Sequence, residues 1–298
     1  MKRILLTLSL LIFSLAILAD TTGEAGFQML KVPTGATTSA QGGVGAFTAN
    51  DAFGFMSNPT AGMLPKKRVI SFSHNYWLID YQMNSGAYYY SQGKKAFGFG
   101  YRYLDYGKLE SRDDVGNITG EFHPMDMVLT TNFGYRITPD MYLAANLNAL
   151  YEKIDAASAV GLAFDIGYTY LTPIKDLTVA AAVKNIGKTG DMDKEDIDLP
   201  IAAEISLIKA LQLKSVKFAN ELKIMKYSDN DELQMVLGTN IHITEILKLR
   251  LGYKLNYDAE DFSAGIGIKL KKIDVDYAYV PFNSEIDDVH VIGLTYKF

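Results

Sequence analysis

The side chains with the clearest chemical capacity are three cations at alternate spacing in one short run: Lys248, Arg250 and Lys254. In an extended strand that spacing puts them on one face, where they could hold a carboxylate or an anionic headgroup. Lys217, Glu221 and Lys223 repeat the pattern two runs earlier. The same positions could instead pair with acidic neighbours or hold another segment of chain. Other chemistry finds little support. His74, His123, His242 and His290 are far apart and no His-Glu-x-x-His occurs, so no metal site is assigned. No Gly-x-Ser-x-Gly nucleophile turn is present. With no cysteine, disulfides, thiolate metal sites, a cysteine nucleophile and a lipid-modified cysteine anchor are excluded. Asp274 and Asp276 fall on the polar face of an alternating run, and the acidic stretch from Gly187 to Asp198 lacks the spacing of a calcium loop. Both read as solvated carboxylates. No catalytic residue and no cofactor is assigned, and the chain is not read as an enzyme. A net charge of -5 without a basic cluster makes nucleic acid a poor partner.

The elements that must position these cations are strands. Val160, Leu162, Phe164, Ile166, Tyr168 and Tyr170 alternate with Gly161, Ala163, Asp165, Gly167 and Thr169. Leu247, Leu249, Leu251, Tyr253 and Leu255 alternate with Lys248, Arg250, Gly252 and Lys254. Such period-two runs continue from about Val69 to Phe298, separated by turn signals such as Thr138-Pro139-Asp140 and Ser228-Asp229-Asn230-Asp231. They predict about fourteen strands, most near the roughly 9–11 residues that a tilted transmembrane strand needs. A soluble β-sandwich alternates too, with its apolar side inward. Glycine, serine and charges of both signs on the polar faces, and tyrosines near strand ends, favour a barrel with a crowded lumen.

The ends of the chain agree. Met1-Lys2-Arg3, the apolar run Ile4–Leu18 and Ala19 have the three-part layout of a signal peptide over residues 1–19, with Ala16 an alternative cleavage point. The run is short for a membrane-spanning anchor, and no later run is long enough for a spanning helix. Residues 68–298 are therefore read as an all-β, transmembrane antiparallel β-barrel in the bacterial outer membrane, in contact with outer-membrane lipid. The last strand ends Ile292, Leu294, Tyr296, Phe298 on one face. It resembles the C-terminal signal read by the barrel assembly machinery. Residues 20–67 differ, being rich in Gly, Ala, Thr and Ser, with Gly35-Ala36, Gly42-Gly43, Asn50-Asp51-Ala52 and Asn58-Pro59-Thr60-Ala61-Gly62. No strand precedes these glycines and no Gly-Lys-Ser/Thr follows, so they are not a phosphate loop. They predict a small N-terminal plug with short helical turns.

Across residues 27–62, and again at Asn185-Ile186-Gly187, Leu199-Pro200, Leu249-Arg250-Leu251-Gly252-Tyr253, Ala264-Gly265-Ile266-Gly267 and Asp276-Tyr277-Ala278-Tyr279, the chain resembles PorV/PorQ-type outer-membrane proteins, relatives of the FadL-type channels. The plug motif of that resemblance comprises Gly35, Ala36, Gly42, Gly43, Asp51, Asn58, Pro59 and Gly62. Two departures stand out: Thr60 separates Pro59 from Ala61, and Met56-Ser57 replaces the usual aromatic pair. The resemblance implies a part in type IX-like protein secretion and surface attachment, with secreted cargo or envelope proteins as partners. Its alternative implication is a FadL-like channel for hydrophobic or amphipathic small molecules.

Overall fold

A computed structural model describes residues 25–46, 51–63, 67–192, 197–283 and 287–298. The predicted signal peptide, Asn50, and Asp193, Glu195 and Asp196 of the acidic loop lie outside these residues. The strands are β1 Lys67–Tyr76, β2 Gln82–Gln92, β3 Lys95–Asp105, β4 Leu109–Arg112, β5 Ile118–Phe122, β6 Met125–Thr138, β7 Met141–Ile154 and β8 Ala157–Leu171. They continue as β9 Leu177–Thr189, β10 Ala202–Leu213, β11 Val216–Tyr227, β12 Gln234–His242, β13 Leu247–Leu255, β14 Phe262–Leu270, β15 Ile273–Val280 and β16 Val289–Lys297. Among the described residues, fourteen of them form a closed antiparallel barrel in chain order, with β4 and β5 set aside as a separate hairpin between β3 and β6. Closure comes from β1, which pairs with β2 and with β16, Val69 facing Lys297 and Tyr76 facing His290. A closed ring leaves no sheet edge unpaired, as hydrocarbon surroundings require.

The alternation has the inverted sense expected of a membrane barrel. On β13, Leu249, Leu251 and Tyr253 face outward, with Leu251 42% exposed, while Arg250 is 1% exposed in the lumen. On β8, Val160, Leu162, Phe164 and Ile166 face outward and Asp165 and Thr169 are buried inside. Lipid contact explains why apolar side chains cover the outside.

The two ends of the barrel differ. At one end the connections are tight: Gly93-Lys94, Pro139-Asp140, Lys214-Ser215 and Lys271-Lys272 each join two strands. Gly93, Lys214 and Lys271 take positive φ there, as two-residue hairpin turns favour. At the other end the connections are mostly longer, including 106–124 and 190–201. The short-turn end exposes Lys94, Lys175, Lys214, Lys271 and Lys272 against Asp140, Asp176 and Glu245, and Arg68, Lys95, Lys217 and Lys269 stand on the adjoining strand ends. The long-loop end is acidic, with Glu110, Asp113, Asp114, Asp155, Asp191, Asp231, Asp258 and Asp287 in its connections against Lys108 and Arg112. The sequence shows no basic cluster because this rim is assembled one or two lysines at a time from separate turns.

Candidate functional site

Residues 35–46 and 51–63 fill the lumen. They contain two single turns of helix, α1 Ala36–Ser39 and α2 Gly54–Ser57. Their path follows the glycines of the wall. Ala36 lies on Gly293 of β16, Ala40 on Gly265 of β14, Gly42 on Gly252 of β13 and Val44 on Gly238 of β12. Phe55 lies on Gly98 of β3, Pro59 on Gly167 of β8 and Met63 on Gly134 of β6. A Cβ on Gly252 would overlap the backbone of Gln41 and Gly42, and one on Gly98 would sit 2.9 Å from the Phe55 ring. Inward glycine is therefore a mould for the plug. Gly42, with φ of 71°, makes the complementary sacrifice from the plug side.

A segment with so little regular structure leaves backbone groups unpaired, and in a lumen they need partners. The barrel wall supplies them. Lys223 donates to the Gly43 carbonyl at 2.7 Å and Lys184 to the carbonyls of Met56 and Ser57, both at 3.2 Å. Asn132 donates to the Pro59 carbonyl and Asn146 to that of Phe55, each at 3.0 Å. Glu221 accepts the Ala46 N–H at 3.3 Å and the Ser71 hydroxyl accepts that of Ala52 at 2.8 Å. Within the plug, Asp51 accepts from the Phe53 N–H at 2.9 Å and Asn58 from the Thr60 N–H at 3.1 Å. The extra Thr60 is accommodated: its hydroxyl donates to Asn58 Oδ1 at 2.7 Å and shares a 2.6 Å hydrogen bond with that of Thr169. Gly62 (φ 83°) packs on Tyr89, which stacks on Phe55 with ring centroids 5.7 Å apart.

Toward the long-loop end the environment turns apolar. Phe27, Met29 and Leu30 are buried against Met83, Leu104, Val128, Leu150, Ala159 and Leu199. Polar contacts fasten this segment too: the Gly26 N–H donates to the Asp198 carbonyl at 3.0 Å and the Gln28 side-chain amide to Asp229 at 3.1 Å. Glu152 accepts the Phe27 N–H at 2.6 Å, Arg102 donates to the Met29 carbonyl at 3.3 Å, and Lys31 pairs with Asp229 at 2.6 Å. Between this segment and the plug body lies a cavity of about 220 Å³ with Leu30, Val32, Met56, Trp77 and Met225 among its apolar lining and Arg102, Lys184, Glu204, Lys223 and Lys254 among its charged lining. Tyr257 also lines it, and burial holds its phenol well above the usual range, so it stays neutral beside Lys254.

The three cations singled out from the sequence are divided by the plug. Lys254 is on the cavity side, paired with Glu260 and 4.8 Å from the centre of the Tyr257 ring. Lys248 and Arg250 are on the short-turn side. Lys248 lies 3.3 Å from Asp274, which Lys297 approaches to 2.5 Å, and Arg250 lies 2.8 Å from Asp276. The register Arg250–Gly265 and Gly267–Asp276 brings three of the quoted motifs side by side, and Gly267 gives the Arg250 guanidinium its space. Asn185, at a positive-φ bulge of β9, donates to the Pro200 carbonyl at 2.8 Å and so joins two more. Lys217 is exposed at the rim, whereas Glu221 and Lys223 hold the plug. Ile292, Leu294, Tyr296 and Phe298 all face outward, the Arg68 guanidinium 4.6 Å from the Phe298 ring centre. Arg102, Lys184, Glu204 and Glu152 were not anticipated. Each is the lone charge on the inward face of its strand, and that isolation was the available signal. Among the described residues no group of three His, Asp or Glu side chains could hold a metal ion.

A closed barrel that is apolar outside, polar inside and filled by its own N-terminal segment is a plugged β-barrel of the bacterial outer-membrane type. No protein-family model matches the chain, and no curated protein does. Solved structures do. The toluene transporter TbuX of Ralstonia pickettii aligns with a TM-score of 0.63 at 15% identity, over 89% of this chain and 98% of that one. The Pseudomonas putida toluene transporter TodX gives 0.63 at 13%, over 94% and 99%, and a Pseudomonas aeruginosa FadL homologue 0.59 at 12%, over 90% and 99%. At such identities the likeness is one of fold. It bears on the FadL side of the sequence resemblance rather than on PorV/PorQ.

Proposed function

We propose that the protein is an outer-membrane channel for small hydrophobic or amphipathic molecules, with the N-terminal segment occupying the route. The observation that carries this reading is the apolar cluster filled by Phe27, Met29 and Leu30, beside a part-charged cavity of about 220 Å³ that Leu30 also lines. Contacts of this kind are non-directional, so an apolar ligand can replace them. The lining cations, Lys254 among them, would meet the polar end of an amphipathic ligand. The structural relatives described as toluene transporters support the same class. The test is equilibrium binding of toluene and of a long-chain alkyl carboxylate to the purified full chain, read by quenching or shift of Trp77 fluorescence. Saturable binding that weakens in Met225→Phe, which narrows the cavity from the barrel wall, supports the proposal. Absence of saturable binding of either probe overturns it.

The hairpin β4–β5 favours a second reading, the PorV/PorQ-like component that receives secreted cargo or scaffolds an envelope complex. Val115 at its tip is 81% exposed, and Ile118 is exposed beside it, as a docking arm would require. Secreted proteins sharing a common C-terminal domain, co-purified from the native membrane and lost on deleting residues 109–122, would put this reading first.

A further inference from the structure

Among the described residues, the outer face carries a few polar side chains, such as the His74–Asn84 pair and Thr131, and one three-strand row that includes a lysine. Lys209, Asn220 and Thr239 lie side by side on the outer face of β10, β11 and β12, each opposite the next in register. Asn220 donates to the Lys209 carbonyl at 3.3 Å, and the Thr239 hydroxyl donates to Asn220 Oδ1 at 3.0 Å. Polar groups turned toward hydrocarbon are costly, and those that persist mark function. Next to them is a concavity of about 520 Å³ whose apolar walls include Leu207, Leu222, Leu237, Tyr253 and Phe262. The Lys209 side chain runs from this groove toward the short-turn end, where its ammonium donates to the Lys175 carbonyl at 2.5 Å and keeps two N–H donors. That end is the cationic rim.

We propose that this groove binds one anionic phospholipid of the leaflet at the short-turn end, independently of any transported ligand. An acyl chain lies along the apolar walls and the phosphate meets the Lys209 ammonium, with the rim lysines adding a longer-range field. Charge complementarity selects this occupant. Short turns of such barrels face the periplasm, so the rim stands in the phospholipid leaflet, and basic pockets on membrane proteins bind anionic headgroups. A second copy of the chain would instead set one cationic rim against another.

The test uses the full chain, delipidated in detergent, titrated with phosphatidylglycerol or phosphatidylcholine and read by native mass spectrometry. The expected result is a one-to-one phosphatidylglycerol adduct at lower lipid concentration than the phosphatidylcholine adduct. Lys209→Gln should reduce that preference about fivefold. Thr239→Phe, which fills the groove from its outward face, should remove both adducts, while Lys271→Gln on the rim should leave the preference nearly intact. Equal binding of the two lipids overturns the proposal, as does an undiminished preference in Lys209→Gln. A homodimer that Thr239→Phe dissolves would also overturn it, by assigning the groove to a second copy.

Discussion

The plug body at 35–46 and 51–63 and the segment at 25–33 occupy the same lumen but are held by different physics. The body fits a wall of glycines and hands its backbone groups to Lys223, Lys184, Asn132 and Asn146. Such contacts depend on shape and direction, and no small molecule reproduces them. The earlier segment inserts Phe27, Met29 and Leu30 among other apolar side chains, and its polar contacts go to the loop residues Asp198 and Asp229 and to Glu152 and Arg102 near the strand ends. On the channel reading proposed above, the segment is the part that yields, because a ligand can replace apolar contacts, while the body stays moulded to the barrel.

The largest effect expected is on the side of the body that faces the short turns. Asp276→Ala leaves Arg250 buried without its carboxylate and should cost about 3–5 kcal/mol of global stability, read as the denaturant midpoint of the folded barrel. A change well under 1 kcal/mol would mean that this wall is not locked. Phe27→Ala should remove about 3 kcal/mol of packing, but as local opening. Hydrogen exchange at residues 26–32 should accelerate while the global midpoint holds, and a matching fall in the midpoint would erase the contrast. Gly252→Val forces the wall against Gln41 and Gly42 at about 2 kcal/mol. It should expose the plug to protease and raise single-channel conductance. Glu152→Gln weakens only the bond from the Phe27 N–H, by about 1 kcal/mol, and should speed exchange at that amide alone.

The barrel was legible because lipid outside and plug inside impose a strict period of two, so the runs on β8 and β13 show both faces directly. About fourteen strands were expected, and fourteen close the ring among the described residues. The stretch Asp113–Pro124 contributes β5 and the tip of a hairpin, which no sequence pattern announced. Its side chains are exposed on both faces, so no alternation betrays a strand there. For the lumen cations the facing side was legible and the partner was not. Arg250 meets Asp276 only through the registers of β13, β14 and β15, which local pattern does not encode. Arg102 and Lys184 were missed for the same reason, since their partners are plug carbonyls far away in sequence.

Covalent continuity between the 25–33 segment and the body beneath it has a kinetic and thermodynamic meaning. On the channel reading proposed above, the segment acts as an intramolecular competitor, present at a fixed effective concentration in the millimolar range typical of short tethers whatever the amount of protein. A ligand that needs the space the segment fills sees its intrinsic dissociation constant divided by the fraction of molecules in which the segment is displaced. Weakening the segment's hold thus raises apparent affinity without altering any ligand contact, and dilution of the protein leaves that displaced fraction unchanged.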